Sequence, residues 1–293
     1  MVLLDGKSLA AEIKEEIKKE TAAIIDRGEK APHLAAILVG EDPASQTYVA
    51  SKEKACHETG ITSSVYKYPA NISEEELLKA VDFLNHDNEI DGFIVQLPLP
   101  PQINVERIIS AIDPAKDVDG FHPENLGKMM TGQQGFVPAT PLGIMQLLER
   151  YAIETEGKHC VVVGRSNIVG TPVSILMSRK AKPGNATVTL CHSHTQNLGE
   201  ICRSADILIA AMGKPGFIKA DMVKEGAVVI DVGIHRIPDE TKEKGYYITG
   251  DVDFAEVSKK AGWITPVPGG VGSMTIVALL MNTLKAWKMK YQK

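Results

Sequence analysis

The amino-acid sequence predicts an α/β protein made of two units, each built on a parallel sheet. Apolar, strand-like runs alternate with helical patterns at 34–100 and again at 159–233, and this alternation is typical of parallel strands joined by crossover helices. Between them lies 113–143, which is rich in Gly, Pro and Asp and has no sustained period. Because such a long loop is usually functional or joins two domains, we expect two α/β domains.

The first stretch predicts a regular series of elements. A helix is expected over 8–27, because its apolar residues recur on one helical face. Apolar or β-branched runs predict strands, the last of them broken by prolines, at 34–40, 63–69 and 91–100. A helix is predicted over 44–59, and another begins at Ser73, where Glu76 completes a capping box.

The second stretch predicts a Rossmann-type sheet. A helix is expected from Pro141, an acceptable first helical residue, to about Tyr151. Four buried strands with helices between them follow, at 159–164, 187–191, 206–212 and 227–233. A last helix, at about 274–289, comes after a glycine-rich turn, and we expect it to pack back on the first domain.

Composition excludes several classes of protein. The net charge of −5 gives no support to a nucleic-acid or membrane partner, and the apolar runs are too short to cross a bilayer. The N-terminal apolar run is three residues long, so we expect no signal peptide. The four cysteines form no CxxC pair. They are interpreted as reduced thiols in or near the core rather than disulfides, which favours a cytoplasmic protein.

The turn VVVGRSNIVG has the features of a dinucleotide-binding loop. Gly164 permits a tight turn, Ser166 replaces the usual second glycine with a small donor, and Gly170 allows close packing of helix on strand. The segment 191–197 after the next strand has no acidic residue, which together with Arg165 favours the 2′-phosphate of NADP. An ordinary strand–helix turn remains the alternative. The histidines of 191–197 lack a third ligand at metal spacing, so no metal is expected.

Polar residues in the first domain are candidates for chemistry. Tyr48 and Lys52 share a helix face, and a desolvated lysine can serve as acid or base. Gln96 lies near the carboxyl end of a parallel strand, where open sheets bind ligands. Asp117 and Asp119 follow in a loop. The structural alternatives are a solvated lysine, a strand-end amide and turn caps. The order of motifs argues against a short-chain dehydrogenase, whose Tyr-x-x-x-Lys follows the nucleotide loop.

Five strings, taken in order, resemble one family over nearly the whole chain. They are Tyr-x-x-x-Lys, QLPLP, KDVDGFH, GRSxIVGxP and PGGVG, and they are similar to the bifunctional methylenetetrahydrofolate dehydrogenase/methenyltetrahydrofolate cyclohydrolase family. The resemblance implies two α/β domains with a cleft between them, the second a Rossmann-type NADP-binding domain. It implies a folate-binding catalytic domain over 1–145, completed by a C-terminal helix at 274–293, and an NADP domain over 146–273. It also implies a homodimer formed through the nucleotide domain.

The resemblance also implies a role for individual residues. Lys52 would be the acid/base group of the cyclohydrolase step, Tyr48 would pack on the folate, and Gln96 would hydrogen-bond Lys52. Asp119 would accept hydrogen bonds from the amino edge of the pterin. The remaining residues would bind NADP, namely Gly164, Arg165, Ser166, Ser193 and Ile234, or line the folate, namely Leu97, Pro268, Gly269 and Gly270.

The implied reaction is oxidation of 5,10-methylenetetrahydrofolate with NADP, followed by hydrolysis of the methenyl product to 10-formyltetrahydrofolate. We expect no formate–tetrahydrofolate ligase activity. Ser273 departs from the proline that the family carries there, and as a helix N-cap it would suit the start of the last helix. Two alternatives remain at this point: another two-domain dehydrogenase of the shikimate or amino-acid type, and a dinucleotide-binding sensor without catalysis.

Overall fold

The computed structural model describes residues 1–242 and 245–292, which divide into two units. The six-stranded unit comprises Met1–Ala10 and Thr140–Thr275, and the three-stranded unit comprises Ala11–Ala139 and the residues from Ile276 onward. The domain bounds expected from the sequence, at 145/146 and 273/274, stay a prediction. Residue 293 of the expected C-terminal helix lies outside the described residues.

The three-stranded unit is built on a wholly parallel sheet. Its strands run in the order β3–β2–β4, and their bounds are β2 His33–Val39, β3 Thr62–Tyr68 and β4 Gly92–Val95. The helices that contribute to it are α1 Gly6–Asp26, α2 Pro43–Thr59, α3 Glu74–His86, α4 Val105–Ala111 and α5 Pro123–Thr131. The sheet's core face is buried against α3 and α4 through apolar side chains that include Ile37, Leu77, Phe93 and Ile108.

Local sequence signals fix the ends of these helices. Asp42 caps α2 by accepting a hydrogen bond from the Ser45 amide at 2.7 Å, and α2 ends at Gly60 in the left-handed conformation. The capping box of Ser73 and Glu76 is confirmed at the start of α3, where such a cap contributes about 1 kcal/mol. The apolar face predicted for α1 is buried, including Leu9, Ile13, Ile17 and Ile24.

Two expectations about this unit were wrong. The strand expected to run to 100 ends at Val95, because the prolines of the QLPLPP string cannot continue a ladder. The segment 113–143, expected to lack secondary structure, contains α5, which His122 caps and Pro123 begins. Outside this unit, helix α6, Ala139–Arg150, most of which belongs to the six-stranded unit, begins two residues before the expected Pro141. The Gly, Pro and Asp residues of 113–143 obscured the nine-residue helix α5, since it begins at Pro123 and is followed by Gly132, residues that are also typical of loops.

The six-stranded unit is also a parallel sheet, in the order β1–β11–β8–β7–β5–β6. Its strands are β1 Val2–Leu3, β5 His159–Val163, β6 Thr187–Cys191, β7 Ile207–Ala210, β8 Val228–Asp231 and β11 Trp263–Ile264. The four strands predicted from the second stretch are confirmed. The helices of this unit include α7 Gly170–Ser178, α8 Leu198–Arg203 and α9 Phe254–Val257.

An antiparallel arm leaves this sheet after β8. It consists of β9 His235–Pro238 and β10 Tyr246–Thr249, with Arg236 stacked over the ring of Tyr246 at 4.3 Å. The last helix, α10, runs Val271–Tyr291 and so begins three residues before the expected 274. It supplies residues to both units, as α1 does.

All four cysteines are core residues. Cys56, Cys160, Cys191 and Cys202 are all buried and free, which confirms the prediction of core thiols. Among the helices of residues 1–242 and 245–292, none is both long and apolar enough to cross a membrane.

Candidate active site

Lys52 is a buried amine on the second helix of the three-stranded unit. Its side chain is 8% exposed, and its Nζ donates a hydrogen bond of 3.0 Å to Oε1 of Gln96. Lysine is almost never fully buried without a partner. The sequence alternative of a solvated lysine therefore does not describe this side chain.

Gln96 is placed by the end of β4. Its backbone N–H donates to the Ile37 carbonyl at 2.9 Å and so continues the sheet ladder by one residue. Its side-chain Nε2 donates to the carbonyl of Leu97 at 2.7 Å. Because the amide nitrogen is used there, the amide oxygen faces Lys52. The half-buried Leu97 is followed by a cis peptide bond to Pro98.

Burial and neighbouring negative charges shift the pKa of Lys52 in opposite directions. Desolvation lowers the pKa of its amine, while the negative charge of Asp119 and, less strongly, that of Cys56 raise it. Burial in turn raises the pKa of Asp119, and the charge of Lys52 lowers it. Lys52, Gln96 and Asp119 therefore form one interacting cluster, in which the amine exchanges a proton more readily than an exposed lysine does.

Tyr48 lies one turn before Lys52 on α2. Its side chain is half-buried, and desolvation raises the pKa of its phenol. The ring therefore stays neutral and offers a flat apolar face with a polar tip, which suits packing against a heterocycle.

The loop that carries Asp119 is held by a second aspartate. The carboxylate of Asp117 is 1% exposed and accepts the backbone N–H of Phe121 at 3.2 Å and of His122 at 2.8 Å. It also accepts Nδ2 of Asn125 at 2.9 Å. Burial raises the pKa of Asp117 to about 6. The turn-capping interpretation describes Asp117, whereas the charge of Asp119 acts on Lys52.

In the six-stranded unit, the loop after β5 lies at a topological switch point. The chain crosses from β5 to β6 on one side and then returns to β7 on the other side of β5. Open α/β sheets bind ligands outside the carboxyl ends of the strands at such a point. Gly164 and the residues after it occupy this position.

Both glycines of the loop are required by close contacts. Gly164 has φ +123°, and a Cβ there would lie 2.0 Å from the Ala211 carbonyl oxygen. A Cβ on Gly170 would lie 1.9 Å from the carbonyl oxygen of Gly164. The missing second glycine is replaced by Ser166, whose Oγ accepts a hydrogen bond of 3.2 Å from the Val169 amide.

This loop fits the phosphates of a dinucleotide. Helix α7 begins at Gly170, and its N-cap residue, Val169, makes no side-chain cap hydrogen bond. Helix N-termini attract anions, and Arg165 and Ser166 are exposed beside this one. Since no carboxylate follows β6 in 191–197, a 2′-phosphate meets no charge repulsion from that segment.

Two further predicted cofactor residues lie at the same edge of the sheet. Ser193 is exposed two residues after β6, and Ile234 is 45% exposed three residues after β8. Since the strands are parallel, the loops after β5, β6 and β8 all leave the same edge.

The glycine-rich turn before α10 belongs to the six-stranded unit. Lys7 donates its N–H to the carbonyl of Gly269 at 2.8 Å, and a Cβ on Gly6 would lie 2.2 Å from the Gly270 carbonyl. The peptide bond before Pro268 is cis.

Ser273 is the third residue of α10. The expectation that it caps the helix was wrong, because the helix begins at Val271.

A buried network that the sequence did not predict supports this edge. Asp231, at the end of β8, accepts the backbone N–H of Gly233, Asp251 and Val252 at 2.8–3.0 Å. Burial raises the pKa of Asp231 to about 6. A charged residue closing the apolar strand VVID was the available signal, since buried carboxylates need hydrogen-bond partners.

Comparison with known proteins matches both parts of the chain to one family. Residues 4–119 match the tetrahydrofolate dehydrogenase/cyclohydrolase catalytic domain, and residues 138–291 match the NAD(P)-binding domain of the same family. The bifunctional protein FolD of Flavobacterium psychrophilum is 62% identical over 98% of this chain and 97% of its own.

Solved structures agree with this match. The bifunctional FolD methylenetetrahydrofolate dehydrogenase/cyclohydrolase of Campylobacter jejuni is 51% identical, with a TM-score of 0.92 and 99% of each chain covered. The Trypanosoma brucei enzyme, complexed with NADP and an inhibitor, is 38% identical, with a TM-score of 0.94 over 100% of this chain and 99% of that one. These matches decide against the shikimate-type and sensor alternatives. The chain belongs to the tetrahydrofolate dehydrogenase/cyclohydrolase family.

Proposed function

We propose that Lys52 is the acid/base group of the hydrolytic step in this NADP-dependent methylenetetrahydrofolate dehydrogenase and methenyltetrahydrofolate cyclohydrolase. The enzyme oxidises 5,10-methylenetetrahydrofolate to the methenyl form and hydrolyses that product to 10-formyltetrahydrofolate. The observation that carries the assignment is the buried amine of Lys52, held by Gln96 beside Asp119.

The oxidative step needs positioning more than side-chain chemistry. A lone pair on a neighbouring folate nitrogen pushes a hydride off the methylene carbon, and NADP, when bound, supplies the acceptor. Gly164, Arg165 and Ser166 would hold its phosphates, with Ser193 and Ile234 beside it. The chain's task is to hold the folate and the cofactor in reacting geometry.

The hydrolytic step needs proton transfers. Water attacks the methenyl carbon of the cationic folate, and the unprotonated amine of Lys52 takes the proton that the water loses. The amine then returns a proton to the leaving nitrogen as its bond to that carbon breaks. The hydroxyl on the carbon loses its remaining proton to solvent, which leaves the formyl group on the other nitrogen and accounts for the one proton released overall. An amine whose pKa is lowered by burial is suited to both transfers.

The neighbouring side chains have supporting roles in this proposal. Gln96 orients the amine, and Asp119 accepts hydrogen bonds from the amino edge of the pterin while it counters the charge of Lys52. Tyr48 packs on the folate ring. Leu97, Pro268, Gly269 and Gly270 line the substrate.

The test compares Lys52→Met with Lys54→Met, a matched change at a side chain that is 78% exposed on the same helix. Reduced nicotinamide reports oxidation of the methylene substrate, and loss of the methenyl species reports hydrolysis. Lys52→Met is expected to lower hydrolysis by at least about 100-fold, the usual contribution of a general acid or base, and to leave measurable dehydrogenase activity. Lys54→Met should leave both rates unchanged.

Two outcomes would count against the assignment. Equal loss of both activities in a folded Lys52→Met protein would mean that the lysine has no separate role in hydrolysis. If the wild-type chain turned over methylenetetrahydrofolate with neither NADP nor NAD, the proposed dehydrogenase/cyclohydrolase activity would be contradicted.

We also propose that the protein is a cytoplasmic homodimer. The proposal is supported by the family resemblance and by four buried, free thiols, which persist in a reducing compartment. Light scattering on the eluted protein should give twice the 31.7 kDa of one chain. A mass of one chain at micromolar concentration would contradict it.

A further inference from the structure

The carboxylate of Asp251 collects an unusual number of donors. Its side chain is fully buried. Three consecutive backbone N–H groups, those of Met212, Gly213 and Lys214, donate to it at 2.7, 3.0 and 2.8 Å. Nε2 of His235 lies 2.7 Å from the carboxylate oxygen Oδ1. None of these groups takes part in the proposed reaction.

These donors come from the loop after β7 and from His235, the first residue of β9, at the cofactor edge of the sheet. Met212–Lys214 follow β7, the strand beside β5. The residue just before them, Ala211, has the carbonyl oxygen against which Gly164 packs without room for a Cβ. His235 directly follows Ile234. One carboxylate therefore fixes the loop that backs the phosphate turn and the loop that presents Ile234.

Asp251 is itself held in place by the sheet. Its backbone N–H donates to Oδ1 of Asp231 at 2.8 Å, and the Val252 N–H donates to Oδ2 of Asp231 at 3.0 Å. A Cβ on Gly250 would lie 1.9 Å from the same carboxylate. The antiparallel arm returns the chain to this point. Asp251 therefore links the end of β8, through Asp231, to the loop after β7 by hydrogen bonds.

We propose that Asp251, with His235 as its donor, is a positioning residue for the NADP site. The proposal rests on the assignment of NADP to the loop at 164–166. Hydrogen bonds to a carboxylate are about twice as strong as those between neutral groups, so four of them define one arrangement of the two loops. A cofactor misplaced by about 1 Å costs on the order of 100-fold in rate.

The first variant is Asp251→Asn, which keeps the shape and removes the charge. We expect it to lower kcat/KM for NADP in the dehydrogenase assay by about 100-fold. Hydrolysis of methenyltetrahydrofolate, assayed without any nicotinamide cofactor, should stay at the wild-type rate. Asp239→Asn is the matched control, since this carboxylate accepts its hydrogen bonds from Thr241 in the same arm and should leave both activities unchanged.

A pair of variants at His235 keeps the proposal testable if Asp251→Asn does not fold. His235→Leu removes one hydrogen bond to a charged group and should raise KM for NADP about tenfold. His235→Gln retains an N–H donor and should restore most of that loss. A merely structural role would not produce this rescue together with unchanged hydrolysis.

The outcomes are distinguishable from failure of the proposed function. Unchanged NADP kinetics in Asp251→Asn and His235→Leu, or parallel loss of both activities in folded variants, would overturn the positioning role. Absence of both activities in the wild-type chain would instead overturn the proposed function.

Discussion

At the residue scale, the protonation of Lys52 depends on the balance between its apolar surroundings and Asp119. The negative charge of Asp119 raises the pKa of the amine, against the effect of burial. Without that charge, the lowering of the Lys52 pKa by burial is countered less. The pKa of Lys52 should therefore fall further below that of a free lysine, and the unprotonated amine should be populated at lower pH.

Asp119→Asn tests this electrostatic coupling through the pH at which the hydrolysis rate rises, rather than through the maximum rate. The limb of the hydrolysis rate that rises as Lys52 loses its proton should move to lower pH than in the wild type, whatever the overall loss from weaker folate binding. Asp113→Asn, at an exposed carboxylate of the same loop, is the control and should leave the limb in place. A limb that stays or moves to higher pH in Asp119→Asn would contradict the electrostatic coupling.

Residue identity was predictable here, but residue environment was not. The i, i+4 spacing put Tyr48 and Lys52 on one helix face, and the strand end placed Gln96 near a ligand edge. The environment of Lys52 depends on Gln96 at the end of β4 and on the charge of Asp119, both distant in sequence. For the same reason, the four-donor arrangement around Asp251 had no local signature.

At the element scale, the turn between β5 and α7 depends on close backbone approach. The Cβ introduced by Gly164→Ala would meet the carbonyl oxygen of Ala211 at 2.0 Å, a distance that forces the two loops apart. Binding of NADP is expected to fall by at least about tenfold, because the displaced loop loses a hydrogen bond to a charged phosphate, worth about 1.5–3 kcal/mol. Hydrolysis of the methenyl substrate without cofactor should continue.

The control for this prediction separates the cost of a left-handed backbone conformation from that of a steric clash with the Ala211 carbonyl. Gly226 also has a positive φ, of 75°, but a Cβ there meets nothing within 4 Å. Gly226→Ala should therefore cost about 1 kcal/mol of stability from the left-handed conformation and leave NADP binding intact. Titration of each variant with NADP, followed by fluorescence, measures the difference. Equal weakening in both variants would show that strain alone explains the effect.

Elements with a strong period were predictable, and short elements were not. The four buried strands of the second stretch and the capping box of α3 were confirmed. Strands β1 and β11 have two residues each, too few to show any alternation, and they form only because the sheet supplies their partners. Pattern analysis needs several residues to distinguish a strand from a turn.

At the scale of the whole molecule, the last helix completes contacts with segments far back in the chain. Asn282 of α10 is 2% exposed, and its Nδ2 donates to the carbonyls of Val118 at 2.8 Å and Val137 at 2.9 Å. The two acceptors are separated from it by 164 and 145 residues. The loop that carries Asp119 is thus held in part by the chain's final helix.

Asn282→Leu tests this long-range dependence. Two carbonyls lose their donor, and at about 1–3 kcal/mol for each unsatisfied buried group the free energy of unfolding should fall by about 2–6 kcal/mol. Because Val118 immediately precedes Asp119, KM for the folate substrate should also rise, while binding of NADP should not change. Urea unfolding and steady-state kinetics measure the two effects.

Thr283→Val, at the next residue of the same helix, is the matched control. The Thr283 hydroxyl donates only within α10, to the Leu279 carbonyl at 2.9 Å, and that carbonyl also lies within reach of the helix's own N–H ladder. Its loss should cost less than about 1 kcal/mol and leave KM for folate unchanged. If Asn282→Leu were no more destabilising than Thr283→Val, the loop carrying Asp119 would be held by its local contacts to Asp117 and Asn125 alone, and the C-terminal helix would have no part in shaping the folate site.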